Sequence, residues 1–152
     1  MNHFVWAAGI LAILMPATSS ADYDLGWIEA SQMRPVLDAI DAKDYPRCIR
    51  ELHKSRENKP GDANLLGLLG YCHREQGDTE QGFRYYHQAL AIEPDNVSIN
   101  EYIGELYLRV GNLEKAREHL KIIADSGACL FGCNEYDKLE AAITAYRKAN
   151  RL

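Results

Sequence analysis

From residue 31 onward the apolar residues fall three and four positions apart, the pattern of helices that bury one face. Met33, Val36, Leu37 and Ile40 make the first stripe, and Cys48, Ile49 and Leu52 the second. Leu65, Leu66 and Leu69 make a third, Phe83, Tyr86, Ala89 and Leu90 a fourth, and Ile99, Ile103, Leu106 and Tyr107 a fifth. Leu113, Ala116, Leu120 and Ile123 follow, and Tyr136, Leu139, Ile143 and Tyr146 close the series. Between the stripes stand residues that stop and start helices: Asp44 with Pro46, Lys59-Pro60-Gly61 before Asp62, Gln76-Gly77-Asp78, Pro94 before Asn96, Gly111-Asn112, and Asn134. An Asp or Asn at such a point accepts a hydrogen bond from the free N–H groups of the first turn. Gln81, three residues after Asp78, completes a capping-box arrangement. Pro35 falls in the first turns of its helix, where a missing N–H costs little. The pattern predicts helices only, the first over 31–41 and the last over 134–150 with Asn134 as its cap.

The punctuation returns every 34 residues: Gly70 maps to Gly104, Gly77 to Gly111, Asp78 to Asn112 and Gly82 to Ala116, while Pro94 maps back to Pro60 and Gly82 to Cys48. A glycine inside a helix costs about 1 kcal/mol relative to alanine, so Gly70 and Gly82 imply a crossing where two helices approach closely. With this period, a small residue in each helix, an aromatic near the end and a closing proline, the chain resembles the tetratricopeptide-repeat family. The resemblance implies an all-α, right-handed superhelix of about three helix-turn-helix repeats, at roughly 29–60, 61–94 and 95–128, followed by a capping helix. The first repeat is degenerate and rests on Cys48, Leu52 and Pro60. After Asp125 the period lapses, and Ala128 stands where a third proline is due. The terminal stripe has Asp137, Glu140, Arg147 and Lys148 on its opposite side, as befits a helix that shields the last apolar face of a stack.

A length of 152 residues is that of one domain. The balance of 17 Lys+Arg against 22 Asp+Glu argues against a nucleic-acid partner, which calls for a basic face. The first 21 residues carry neither Asp, Glu, Lys nor Arg. Val5 to Met15 is apolar, Pro16 breaks it, and Ser19-Ser20-Ala21 offers small residues for cleavage, the layout of a secretory signal peptide. The apolar core is shorter than the ~20 residues a membrane span needs. The expectation is a signal over 1–21 and a mature domain over 22–152, exported to a periplasm with no anchor after cleavage. Asp22 to Glu29 form a short extended lead.

No nucleophile–base set, zinc-protease motif or phosphate-binding glycine loop appears, so neither an enzyme nor a bound cofactor or metal is expected. His53 and His87 occupy the same position of successive second helices and are expected on a solvated outer face. His73 stands where the repeat usually places Tyr and is expected as a packed ring. Of the four cysteines, Cys48 and Cys72 are expected as small buried hydrophobes, with a bridge between their successive helices as a second option. Cys129 and Cys133 flank a glycine-containing loop. A disulfide that pins this loop to the last helix is the expectation for an exported chain. Two reduced thiols, or a soft-metal site for an ion such as Cu(I), are the alternatives, and they carry a second functional possibility of thiol-redox or copper handling. The tail Cys129-x-x-x-Cys133-x-Glu135-Tyr136-x-x-Leu139-x-x-Ala142-Ile143-x-x-Tyr146 is similar to that of small exported tetratricopeptide proteins of proteobacteria, which again implies a periplasmic setting.

In the family the first helix of each repeat lines the concave surface. Carried over by register, this implies a partner-binding groove of Met33, Arg34, Leu37 and Ile40 from the first repeat, Asn64, Leu68, Tyr71 and Arg74 from the second, and Ser98, Glu101, Tyr102, Glu105 and Arg109 from the third. Members that clamp a carboxylate tail use Lys and Asn in the first-repeat groove. Met33 and Leu37 stand there in this chain, against recognition of an acidic C-terminus. The partner implied is a segment of another protein, with the Tyr rings stacking on it and Arg74 and Arg109 pairing with its carboxylates or carbonyls.

Overall fold

The computed structural model of the chain describes residues 30–129 and 132–152. The signal, the lead and the middle of the Cys129–Cys133 loop lie outside the described residues. Seven helices and no strand occur among the described residues: α1 (Ala30–Asp41), α2 (Tyr45–Asn58), α3 (Ala63–Gln76), α4 (Thr79–Ile92), α5 (Val97–Arg109), α6 (Leu113–Asp125) and α7 (Asn134–Asn150). None of them is long and apolar enough to cross a membrane.

The expected caps explain the starts of α2 to α6. Asp44, Asp62, Asp78, Asn96 and Asn112 each accept from the backbone N–H three residues ahead, at 3.0–3.1 Å. A cap of this kind contributes about 1 kcal/mol. Gly77 ends α3 at φ 92° and Gly111 follows α5 at φ 83°, backbone that favours glycine. The last helix departs from expectation. Asn134 is already helical, and the cap position is held by Cys133, which makes no side-chain cap bond. Its sulfur is bonded to Cys129 instead.

The helices pack as consecutive antiparallel pairs, with α7 laid against α5 and α6. Small residues set the spacing. A Cβ at Gly70 would lie 2.5 Å from the ring of Tyr86, and one at Gly104 would lie 2.6 Å from Leu139. One at Gly82 would meet Leu106 at 3.2 Å and the Gly70 carbonyl at 3.5 Å, so Gly70 and Gly82 do share a close crossing. Three apolar clusters follow the seams: Met33, Val36, Leu52 and Leu69 at the first, Leu66, Tyr86, Ile99 and Leu106 at the second, and Ala116, Ile123, Leu139 and Ile143 at the third.

Two expectations are corrected at the first seam. Met33 is fully buried and Leu68 is 4% exposed, so both belong to the core and not to the groove. The stripe of Met33, Val36, Ala39 and Ile40 turns inward against α2 and α3. Cys48 and Cys72 are buried, but they are not separate thiols. They form a disulfide of 2.04 Å that fastens α2 to α3, with Cα atoms 6.4 Å apart.

Candidate partner-binding groove

Among the described residues, α3 packs on α5 and α5 on α7, whereas α2, α4 and α6 make no comparable packing with one another. The first helices of the second and third repeats therefore crowd together with α7 on one side, which is the concave side of the stack. There Tyr71 of α3 and Tyr102 of α5 bring their rings to 5.6 Å. The Arg74 guanidinium lies over both, 5.2 Å from Tyr71 and 5.6 Å from Tyr102. It also donates to the Tyr102 carbonyl at 3.1 Å and to Glu105 at 2.7 Å. Arg109 pairs with Glu75 and donates to the Arg74 carbonyl at 3.5 Å.

Tyr71, Arg74, Tyr102, Glu105 and Arg109 thus come together, but Arg74 serves another purpose than expected. Arg74 is only 4% exposed. Burial opposes its charge, yet Tyr86 and the carboxyl groups of Glu105, Glu75 and Glu101 outweigh that and raise its pKa above the ordinary arginine value. Arg74 binds the chain's own carboxylates, so it holds the groove in shape and is closed to a ligand's, whereas Arg109 pairs with Glu75 and stays exposed at the rim. Arg34 is solvent-exposed and pairs with Asp38 at 2.9 Å, and Leu37 is half-buried. Because α1 packs on α2 without comparable packing on α3, neither joins the tyrosine set. Asn64 accepts from Asn96 at 3.2 Å and lines a separate cavity of about 460 Å³ at the start of α5 and α7, with Ser98, Cys133 and Glu135.

The sequence missed one wall. Leu108, Ala142, Ala145 and Tyr146, with Glu105 and Arg109 at the rim, line a cavity of about 400 Å³ between α5 and α7. The signal was present in the small pair Ala142 and Ala145, three apart on one face, which lets a groove persist between two helices. The last helix is therefore part of the concave surface as well as a cap.

The histidines stack on aromatic rings. His73 lies 5.3 Å from Tyr85, and His119 lies 5.5 Å from Tyr107. The two pairs are one repeat apart with the residue types exchanged, since 73 maps to 107 and 85 to 119. Asn100 donates to the carbonyls of Pro94 and Asn96, so its oxygen faces His119 Nδ1 at 2.8 Å and that nitrogen carries the hydrogen. Burial and His87 push His119 down to about 4, and burial lowers His73 against the pull of Asp78. His53 and His87 are exposed. No group of three or more His, Cys, Asp or Glu poised for a metal occurs among the described residues. Cys129 and Cys133 are bonded at 2.01 Å, which leaves neither as a thiolate ligand.

A tetratricopeptide-repeat family model matches residues 73–143. The chain is a tetratricopeptide-repeat protein. Mouse DnaJ homolog subfamily C member 3 is 30% identical over 111 residues, covering 70% of this chain and 22% of the relative. The BBSome complex member bbs-4 of Caenorhabditis elegans is 35% identical over 54 residues, 36% of this chain and 12% of its own. The tetratricopeptide chain thus spans less than a quarter of either relative's length. Among solved structures, PcrH in complex with the chaperone binding region of PopD superposes with a TM-score of 0.66 at 15% identity, over 79% of this chain and 91% of PcrH. The Yersinia enterocolitica type III secretion chaperone SycD, in complex with a peptide of the translocator YopD, superposes with a TM-score of 0.64 at 14% identity, over 80% and 90%. At such identities the likeness concerns the repeat fold.

Proposed function

We propose that this chain is a non-enzymatic interaction module, exported to the periplasm, that holds an extended or helical segment of another protein across the concave face of α3, α5 and α7. The observation that carries the proposal is the Tyr71–Tyr102 pair, held over Arg74 beside the apolar α5–α7 cavity. Tyrosines fixed in place lose little freedom on binding, and such residues dominate interface energetics. The shape agrees with PcrH and SycD, each solved with a segment of another protein. Export is supported by the pairing of all four cysteines, the state an oxidising compartment maintains.

The test is photo-crosslinking in cells with a reactive residue placed at Tyr102, at Ala145, or on the outer face at His53 or His87. Adducts from the first two positions alone are expected, and they should be lost in the Tyr71→Ala/Tyr102→Ala variant with helix content kept. Adducts confined to positions 53 and 87 would place the partner on the convex side and end the groove proposal.

A further inference from the structure

At the centre of the groove three carboxyl groups stand around one buried guanidinium. Arg74 is paired with Glu105 at 2.7 Å and approaches Glu75 at 3.2 Å, and Arg109 closes on Glu75. Two guanidinium groups are matched by two carboxylates. Glu101, one turn before Glu105 on α5, is a third. It is 3% exposed, deeper than Glu75 or Glu105, and no ion pair within 4 Å reaches it among the described residues. A carboxylate withdrawn from water without a close cation is costly, and such a group neutralises instead.

Its surroundings can be named element by element. Helix α3 presents Arg74, α4 presents Tyr86, α7 presents Lys138 and α5 itself presents Glu105. Helix α6 meets α5 on another side, where His119 faces Asn100. Burial and Glu105 outweigh the two cations, and Glu101 is pushed up to about 8. Glu105 follows one turn on, and two carboxyl groups so placed can share a hydrogen bond only when one of them carries a hydrogen. The drier of them is where it rests.

We propose that Glu101 carries a proton at neutral pH, shared with Glu105, and that this proton is a switch that keeps a third carboxylate out of the groove floor and the α3–α5 seam closed on Arg74. Its loss places two carboxylates one turn apart around a single buried guanidinium, and the seam repacks beneath Tyr71 and Tyr102. What this does to a partner rests on the groove proposal above: a segment lying there meets a floor with no unpaired carboxylate and is selected by rings and apolar contact, and alkaline conditions weaken its hold.

The proton itself can be tested without a partner, by carboxyl-carbon NMR of the full chain titrated from about pH 5 to pH 10. Glu101, assigned by through-bond connectivity, is expected to titrate near the value above, well over the ordinary glutamate value of about 4.3. Glu105→Gln should bring its midpoint down. The ring signals of Tyr71 and Tyr102 should shift with the Glu101 midpoint in the wild type and lose that shift in Glu101→Gln. Titration of Glu101 together with the exposed carboxylates would overturn the proposal, as would ring shifts that persist unchanged in Glu101→Gln. Either result leaves the crosslinking test of the groove untouched, so the two can fail separately.

Discussion

Gly70→Ala is the sharpest probe of how the repeats fit together. On an exposed helix the change stabilises by about 1 kcal/mol. Here the added Cβ would sit 2.5 Å from two carbons of the Tyr86 ring. Carbon atoms settle at about 3.5–4.0 Å, so the ring or the helix must move by about 1 Å. Tyr86 is fully buried, and its ring is packed in the α3–α4–α5 cluster with no open side. Overpacking of this kind costs about 1–3 kcal/mol, and a rigid ring belongs in the upper half of that range. The net loss expected is about 1–2 kcal/mol, a fall in melting midpoint of roughly 3–8 °C for a domain of this size. The control is Gly82→Ala, whose Cβ would meet the movable end of Leu106 at 3.2 Å; it should stay within about 0.5 kcal/mol of the wild type. Thermal and urea unfolding of both variants, with Tyr86→Leu and the Gly70→Ala/Tyr86→Leu double variant, gives the coupling directly. Gly70→Ala melting at or above the wild type would mean that the α3–α4 crossing is looser than the ring contact requires.

Two further outcomes are expected. Replacing Cys48 and Cys72 with alanine releases a link across 24 residues and should lower stability by about 3.5 kcal/mol, against about 2 kcal/mol for Cys129 and Cys133, by the loop-entropy relation; urea midpoints should keep that order. His119 is held below its unfolded value of about 6.5, so the unfolded chain binds the proton first. Its contribution to stability is complete above that pH and is lost as pH falls toward about 4. The melting midpoint should therefore fall across this window, and His119→Gln should flatten the slope.

What the sequence discloses is what repeats. Gly70, Gly82, Asp78 and Asn112 recur in register because each helix crossing and each helix start poses the same steric and hydrogen-bonding demand. The cluster of Tyr71, Arg74, Tyr102, Glu105 and Arg109 was legible for the same reason. The degenerate first repeat carries no such marker, so register puts Met33 in the groove although its helix turns it inward. The partners of Arg74 and Arg109 were hidden because a register places side chains on a face without saying which of them pair. Glu101 shows the same limit: a groove position by register, it lies at 3% exposure beneath its neighbours. The Cys48–Cys72 bond depends on a distance between two helices, which no spacing along the chain states.

That bond also gives the stack a direction. A repeat array frays from its ends, each unit held only by its neighbour. The covalent tie between α2 and α3 merges the degenerate first repeat with the one that follows, so α2 cannot peel away alone. The Cys129–Cys133 bond closes only its own short loop and ties α7 to no other repeat. Unzipping therefore starts at α7, the helix whose Ala142 and Ala145 form one wall of the groove. On the groove proposal, the end left free to fray is the one that carries a wall of the binding face, and the riveted end is the one that carries Tyr71.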